Sequence, residues 1–504
     1  MPPSPVAGVR RSAIRGTLLT GASTAMKVLL QVLAIVVLAR LLTPEDFGVT
    51  AMVFPIIALA TIFQQAGLSV AVLQRESISD EERSTIFWIN VLAGTLLGAL
   101  LVLISPWVAD FYGEPRVQML TAASGAIMIL GALTSQHTNI LTRELRFGRL
   151  ALIDVLSLTI GTSLAIGTAY LTGSYWAIFL LTFGTIASTC LLAWMLSRWR
   201  PGRTAPLRQV RDLLVFGANI TVANLATYFG QNVDKILIGR VLGATPLGLY
   251  ERASKVVLLP ILFVHMPMFR VLVPMLSQNR QAAERYRKLF VTAFQFSLLL
   301  TLPGTLVLIV ASAEIITFVM GEQWVAAAPI FSWLAVATLG QLATGPLTML
   351  FISQGRSREA LVSSVASSFF LTVAFVVGLQ WGVTGVAASF AIAELMRTPL
   401  MLWYATRTGA VSLRDLSLAL LPFVLSAALM IPAGAFWASV VEQSGNPLVA
   451  IGLAVAAAYA VTFACLLLNR SGRGFLGELT SAARSVLGGK SGKSPGKTSM
   501  DAAS

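Results

Sequence analysis

Residues 39–48 read Ala39-Arg40-Leu41-Leu42-Thr43-Pro44-Glu45-Asp46-Phe47-Gly48, and residues 239–248 read Gly239-Arg240-Val241-Leu242-Gly243-Ala244-Thr245-Pro246-Leu247-Gly248. The arginine, the leucine two positions on and the final glycine recur at an offset of 200 residues (40 and 240, 42 and 242, 48 and 248), and so does Gln31 with Gln231. A second echo pairs Gly113-Glu114 with Gly321-Glu322, each after an apolar run. A third pairs Gly173 with Gly382 in the short turn between two apolar runs. Three echoes in one order, at matching points, define an internal repeat with halves at about 16–197 and 213–405.

The runs around these echoes set the class. The chain has 504 residues, 56% hydrophobic and 12% charged, with a mean hydropathy of +0.79. A soluble chain carries roughly 25% charged residues, so the solvent here is mostly lipid. Runs of membrane-crossing length fall at about 16–39, 47–73, 85–109, 117–140, 150–171, 174–196, 213–239, 247–277, 289–312, 325–352, 360–379, 384–405, 416–438 and 447–468. The expected fold is an all-α integral membrane protein of about fourteen transmembrane helices. Six helices per half is an even number, so the halves should be parallel, related by a pseudo-twofold along the membrane normal. Two further helices lie within 416–468. The first run contains Lys27 and exceeds the length of a signal-peptide core, so it reads as a permanent span.

The net charge of +14 follows from topology. Most Lys and Arg fall in the N-terminal stretch 1–15, the even-numbered loops and the tail 469–504. The connector 198–212 alone holds Arg198, Arg200, Arg203, Arg208 and Arg211. The positive-inside rule puts these segments, and both termini, in the cytoplasm. No nucleic-acid partner is needed to explain the charge. The opposite loops are short, the longest at about Ser312–Trp324, which leaves no room for an external catalytic domain. The Gly-, Ser- and Lys-rich tail from Gly488 reads as disordered. Cys190 and Cys465, and His137 and His265, lie on separate spans without ligand spacing, so neither a metal site nor a disulfide is expected, and no cofactor.

The segments Leu38–Gly48 (LARLLTPEDFG) and Asp234–Lys255 (DKILIGRVLGATPLGLYERASK), with Gly321-Glu322-Gln323-Trp324, resemble signature regions of Wzx-type polysaccharide flippases. These belong to the multidrug/oligosaccharidyl-lipid/polysaccharide exporter superfamily. The resemblance covers nearly the whole chain. It implies movement of an undecaprenyl-diphosphate-linked oligosaccharide from the cytoplasmic to the periplasmic leaflet of a bacterial inner membrane. It also implies a cleft between two lobes, alternating access, and a glycan polymerase and export machinery as partners.

Charges within spans are costly and mark functional candidates. They are Lys27, Asp154, Asp234, Lys235, Arg252, Lys255, Arg270, Glu394 and Arg397. Cations outnumber carboxylates, which suits a diphosphate passenger. Lys27 is either a cleft residue meeting phosphate or half of a buried pair with Asp154. Arg252 and Lys255, three apart, share a helix face near Asp234 and Lys235. They either meet phosphate or form a structural network with Asp234 and Glu251. Arg270, about 10 Å from a helix end by the helical rise, is in reach of the surface. Glu394 and Arg397 are spaced to pair with each other. Trp88, Trp107 and Trp324, at span ends, read as interfacial anchors. The competing functions are a cation-coupled drug exporter, which would want carboxylates dominating its cavity, a glycan polymerase or ligase, and a non-transporting component of a polysaccharide assembly complex.

Overall fold

In lipid no water pairs with open peptide groups, so apolar runs of this length must satisfy their backbone within helices. A computed structural model describes residues 5–65, 78–433 and 446–487, and among these there is no strand. The helices are α1 (Pro5–Leu41), α2 (Pro44–Gln65), α3 (Asp80–Tyr112), α4 (Arg116–Arg143), α5 (Phe147–Thr172), α6 (Trp176–Ser197), α7 (Leu207–Leu242), α8 (Ala244–Gln278), α9 (Ala283–Val310), α10 (Ser312–Met320), α11 (Ala328–Thr344), α12 (Leu347–Ser353), α13 (Ser357–Gly378), α14 (Gly382–Thr406), α15 (Leu413–Met430), α16 (Pro447–Leu468) and α17 (Arg470–Leu487).

Eleven stretches of the described residues are long and apolar enough to cross a membrane. One of them, Ser357–Thr406, contains both α13 and α14. α7 and α8 stand outside the eleven and carry Asp234, Lys235, Arg252 and Lys255. The run expected at 325–352 is not one helix. It breaks between α11 and α12, where Pro346 cannot donate to the ladder. The segment expected as the longest loop, Ser312–Trp324, is also helical. α10 buries Ile315, Ile316 and Met320, and a 3-10 turn follows over Glu322–Ala327. The tail begins as a helix, α17, whose Phe475 is buried. The ends of the expected second and thirteenth spans (66–73 and 434–438) and the tail from Gly488 lie outside the described residues.

Local signals explain where helices start and stop. Thr43 and Asp46 cap each other ahead of α2: the Thr43 amide donates to Asp46 Oδ2 at 3.0 Å and the Asp46 amide to Thr43 Oγ1 at 3.3 Å. Ser79 with Glu82, and Ser412 with Asp415, form capping boxes for α3 and α15. Both members of two of the echoes, Gly113 with Gly321 and Gly173 with Gly382, have positive φ at helix breaks, a conformation that costs glycine least.

The chain forms two compact units. The first comprises 1–259, 311–340 and 358–397, the second 260–310, 341–357 and 398–504. In the first, small residues bring backbones together, as lipid-embedded helices favour. A Cβ built on Gly98 of α3 would fall 2.7 Å from the Gly125 carbonyl oxygen of α4, and one on Gly125 the same distance from the Gly98 oxygen. Gly161 of α5 sits likewise on Leu181 and Thr185 of α6. In the second unit, Phe290 and Phe294 of α9 stack in the core. Lys288 pairs with Glu478 of α17 at 2.8 Å, and Arg287 lies 3.6 Å from Asp415. Burial pushes the Glu478 carboxyl up, but the Lys288 ammonium and Thr292 hydroxyl bonded to it hold it below the usual range.

Candidate functional site

The repeat segments meet each other in the first unit. A Cβ on Gly48 would fall 1.8 Å from the Ala244 carbonyl oxygen, and one on Gly248 would fall 1.8 Å from the Pro44 carbonyl oxygen. Residues 44 and 244, and 48 and 248, differ by the same 200 positions, so exchanging the two segments maps one contact onto the other. The start of α2 therefore lies on the start of α8 with backbone against backbone, and only glycine fits at either crossing. The neighbouring echoes repeat the exchange. Arg40, at the end of α1, donates to the Phe318 carbonyl of α10 at 2.8 Å, while Arg240, at the end of α7, lies over the Phe111 ring of α3. Those two helices end just before Gly321 and Gly113.

Gly321-Glu322-Gln323-Trp324 caps the end of α1. Gln323 Nε2 donates to Ala39 O at 2.6 Å, and Trp324 Nε1 donates to the same oxygen at 2.7 Å. It is one of the carbonyls that a helix end leaves without partners. Trp324 is 0% exposed and packs edge-on against Phe47. It is a buried cap and not the interfacial anchor its position at a span end predicts. Trp88 and Trp107 are exposed. Arg116 ties this end to the next loop by bonding both Glu45 and Glu114. The bond from Arg116 holds the Glu114 carboxyl below the usual carboxylate range.

Two turns into α8 lies a charge cluster. Glu251 is buried and receives Arg252 at 3.0 Å and Lys255 at 2.6 Å. Arg252 is 6% exposed, with its guanidinium over the Phe47 ring at 4.3 Å. The Lys255 side chain stays 47% exposed and lies over Phe54. From α7, Lys235 stands within electrostatic range of Glu251 and Lys255, and Asp234 accepts the Tyr250 hydroxyl. The network includes the Glu251–Lys255 contact expected from spacing. Glu251, where Asp234 was the other expected partner, also holds Arg252. Tyr250 escaped the sequence reading because an aromatic among apolar residues carries no mark of its hydroxyl's partner.

Lys27 pairs with Asp154 of α5 at 2.7 Å, with side chains 34% and 45% exposed. Arg397 donates to Glu394 at 2.6 Å and to Ser367 at 2.7 Å. Arg270 is exposed on α8. His137 is buried with Nδ1 2.8 Å from Ser197 Oγ, among Phe87, Trp194 and Trp199. His265 lies in the second unit among Phe290, Phe294 and Pro346. The structure thus brings Lys235, Arg252 and Lys255 together with Asp234, and pairs Lys27 with Asp154 and Arg397 with Glu394.

This fold is that of the exporter superfamily to which the sequence pointed. The structure of the lipid II flippase MurJ in an inward closed conformation aligns over 88% of this chain and 98% of its own, with a TM-score of 0.67 and 15% identity. An inward-facing multidrug resistance MATE family transporter aligns over 78% and 95%, with a TM-score of 0.57 and 14% identity. The chain belongs to the polysaccharide biosynthesis protein family, whose pattern matches residues 37–329. It is similar to the teichuronic acid biosynthesis protein TuaB of Bacillus subtilis (strain 168), at 26% identity over 73% of this chain and 80% of TuaB. It is also similar to the lipopolysaccharide biosynthesis protein WzxC of Escherichia coli (strain K12), at 25% identity over 78% and 80%.

Proposed function

We propose that the protein is a flippase that carries an undecaprenyl-diphosphate-linked oligosaccharide from the cytoplasmic to the periplasmic leaflet of the inner membrane by alternating access. The observation that carries this reading is the placement of partly exposed ammonium groups, Lys27 on the membrane-crossing α1 and Lys255 on α8, in a polysaccharide-biosynthesis family member. A diphosphate entering lipid loses its hydration, and fixed cations can replace it. Lys235 and Lys255 would meet phosphate with Lys27. Arg252, buried on Glu251, would hold the cluster and reach substrate only if that pair opened. Arg270 would lie on the entry path. The exchanged contacts at 44/248 and 48/244 support two parallel halves about a pseudo-twofold, and the basic connector 198–212 supports cytoplasmic termini.

A cation-coupled drug exporter is the weaker reading. Asp154, Glu251 and Glu394 each hold a cation of the protein, and Asp234 holds Tyr250. The test is genetic and chemical. Cells lacking the protein should accumulate the lipid-linked oligosaccharide on the cytoplasmic leaflet, measured by its inaccessibility to an external glycan-modifying enzyme. Normal surface polysaccharide and no accumulation would refute the proposal.

A further inference from the structure

Within the first unit, apart from the charged clusters, α2, α3, α4 and α6 line a partly open cavity of about 320 Å³. That lies within the range of small-ligand sites and is roughly ten times the share of liquid volume taken by one water. Among the described residues its lining holds no charged side chain. Its wall is mostly apolar but carries Gln64, Asn90 and several hydroxyls.

The polar groups are arranged as acceptors. Thr61, Thr134 and Thr189 each spend their hydroxyl proton on a carbonyl of their own helix, at 2.7, 2.6 and 2.8 Å, and Thr138 does the same at 2.9 Å. Each leaves lone pairs for another donor. Asn90 is 3% exposed. Its amide nitrogen donates to Ser135 Oγ at 3.2 Å, and its buried Oδ1 meets no hydrogen-bond donor among the described residues. A buried acceptor without a donor is costly, so Asn90 Oδ1 favours a hydrogen-bond donor from a ligand. Gln64 is held by its bond to the Met128 carbonyl and lies against Gly94 and Gly131, where a side chain would crowd it.

A neutral, acceptor-rich cavity of this size matches a ligand that presents several hydroxyl donors and no charge. A hard cation such as calcium is caged by about six to eight oxygens, carboxylates among them, and this lining supplies no carboxylate and far too much space. A phosphate would find no cation. We propose that the cavity takes one sugar residue of the glycan headgroup, its hydroxyls donating to the threonine oxygens and, once the Asn90 amide turns toward the ligand, to Asn90 Oδ1, while the diphosphate stays with the lysines. This rests on the reading of the protein as a glycan-lipid carrier.

The test uses the full-length protein in lipid nanodiscs. The probes are undecaprenyl diphosphate alone and the same lipid bearing a single glucose, galactose or N-acetylglucosamine. The wild type should bind at least one sugar-bearing lipid several-fold more tightly than the bare one. Asn90→Leu and Thr138→Val should each cut that margin roughly three- to tenfold, the scale of one or two lost hydrogen bonds, with bare-lipid binding unchanged. Unchanged bare-lipid binding also certifies that the variants are folded. A wild-type margin that survives in both variants overturns the site and leaves the carrier reading intact. A wild type that prefers none of the sugars over the bare lipid also overturns the site. Binding of none of the four lipids overturns the carrier reading and the site with it. If the variants instead lose a stabilisation by sodium over choline chloride, the cavity is a cation site and the proposal falls.

Discussion

Lys27 and Asp154 stand 127 positions apart in the chain and meet at 2.7 Å. Spacing could name Lys27 as a costly intramembrane charge but left its partner as one of two readings, because nothing local links α1 to α5. Both side chains remain partly exposed, so a structural and a substrate role are separated by exchange. Lys27→Ala should abolish export, and Lys27→Arg should keep part of it. The double change Lys27→Asp with Asp154→Lys should restore folded yield in the membrane but not export, measured by surface polysaccharide against protein level. Restored export would make the pair purely structural. Glu394 is a different case. It is 2% exposed and pairs with Arg397, so Glu394→Ala takes the carboxylate from the half-buried guanidinium, which costs roughly 1.5–3 kcal/mol. The expected result is loss of folded protein in a detergent thermal-stability assay, whereas Arg270→Ala, on an exposed side chain, should leave the melting temperature within a degree or two. At Trp324 the indole bond to Ala39 O predicts that Trp324→Phe costs about 1 kcal/mol.

At the scale of elements, the crossing of α2 and α8 holds the plainest prediction. Either glycine, given a methyl group, would place it on a carbonyl oxygen, so Gly48→Ala and Gly248→Ala must each push the helix starts apart. Overpacking of this kind costs typically about 1–3 kcal/mol. If that contact is made in one state of the transport cycle and released in another, both variants should populate the released state. The measurement is cross-linking of cysteines at 44 and 248 by a short bifunctional reagent, in a chain whose Cys190 and Cys465 are replaced by alanine. The native glycine background should cross-link efficiently and lose export once linked. Introducing Gly48→Ala should lower the yield several-fold. Equal yields in both backgrounds would mean the two helix starts do not separate. The repeat made these glycines visible as echoes. That they touch was not visible, because a repeat shows which residues are equivalent and not which meet.

For the whole molecule, the membrane potential is the energy source the proposed cargo can use. A diphosphate carries about two negative charges. At about 2.3 kcal/mol per charge per 100 mV, outward movement through the full field gains roughly 4–7 kcal/mol. Collapse of the potential with valinomycin and potassium should therefore slow export sharply while the pH gradient is held. Export that is indifferent to the potential but lost with the pH gradient would favour a proton-coupled cycle. Orientation is checked separately. Cysteine labelling should find residue 113 accessible from outside and the 198–212 connector accessible only after permeabilisation.

The sequence by itself determined the class, the helical content and the equivalences. Apolar length dictates helices in lipid, and echoes such as Arg40 with Arg240 need only one chain to be seen. Glu394 with Arg397 was legible too, because three residues along a helix is a fixed geometry. Only the tertiary structure decided what lies between helices distant in sequence. It buried Trp324 as a cap on α1, seated Arg252 on Glu251 and Phe47, turned Ser312–Trp324 from a loop into helix, and set Gln64 and Asn90 across one cavity. The reason is physical. Hydropathy records how much each segment prefers lipid to water, a sum over single residues. The partner of a buried polar atom is set by how rigid helices pack, and in lipid that packing turns on where small residues let backbones approach.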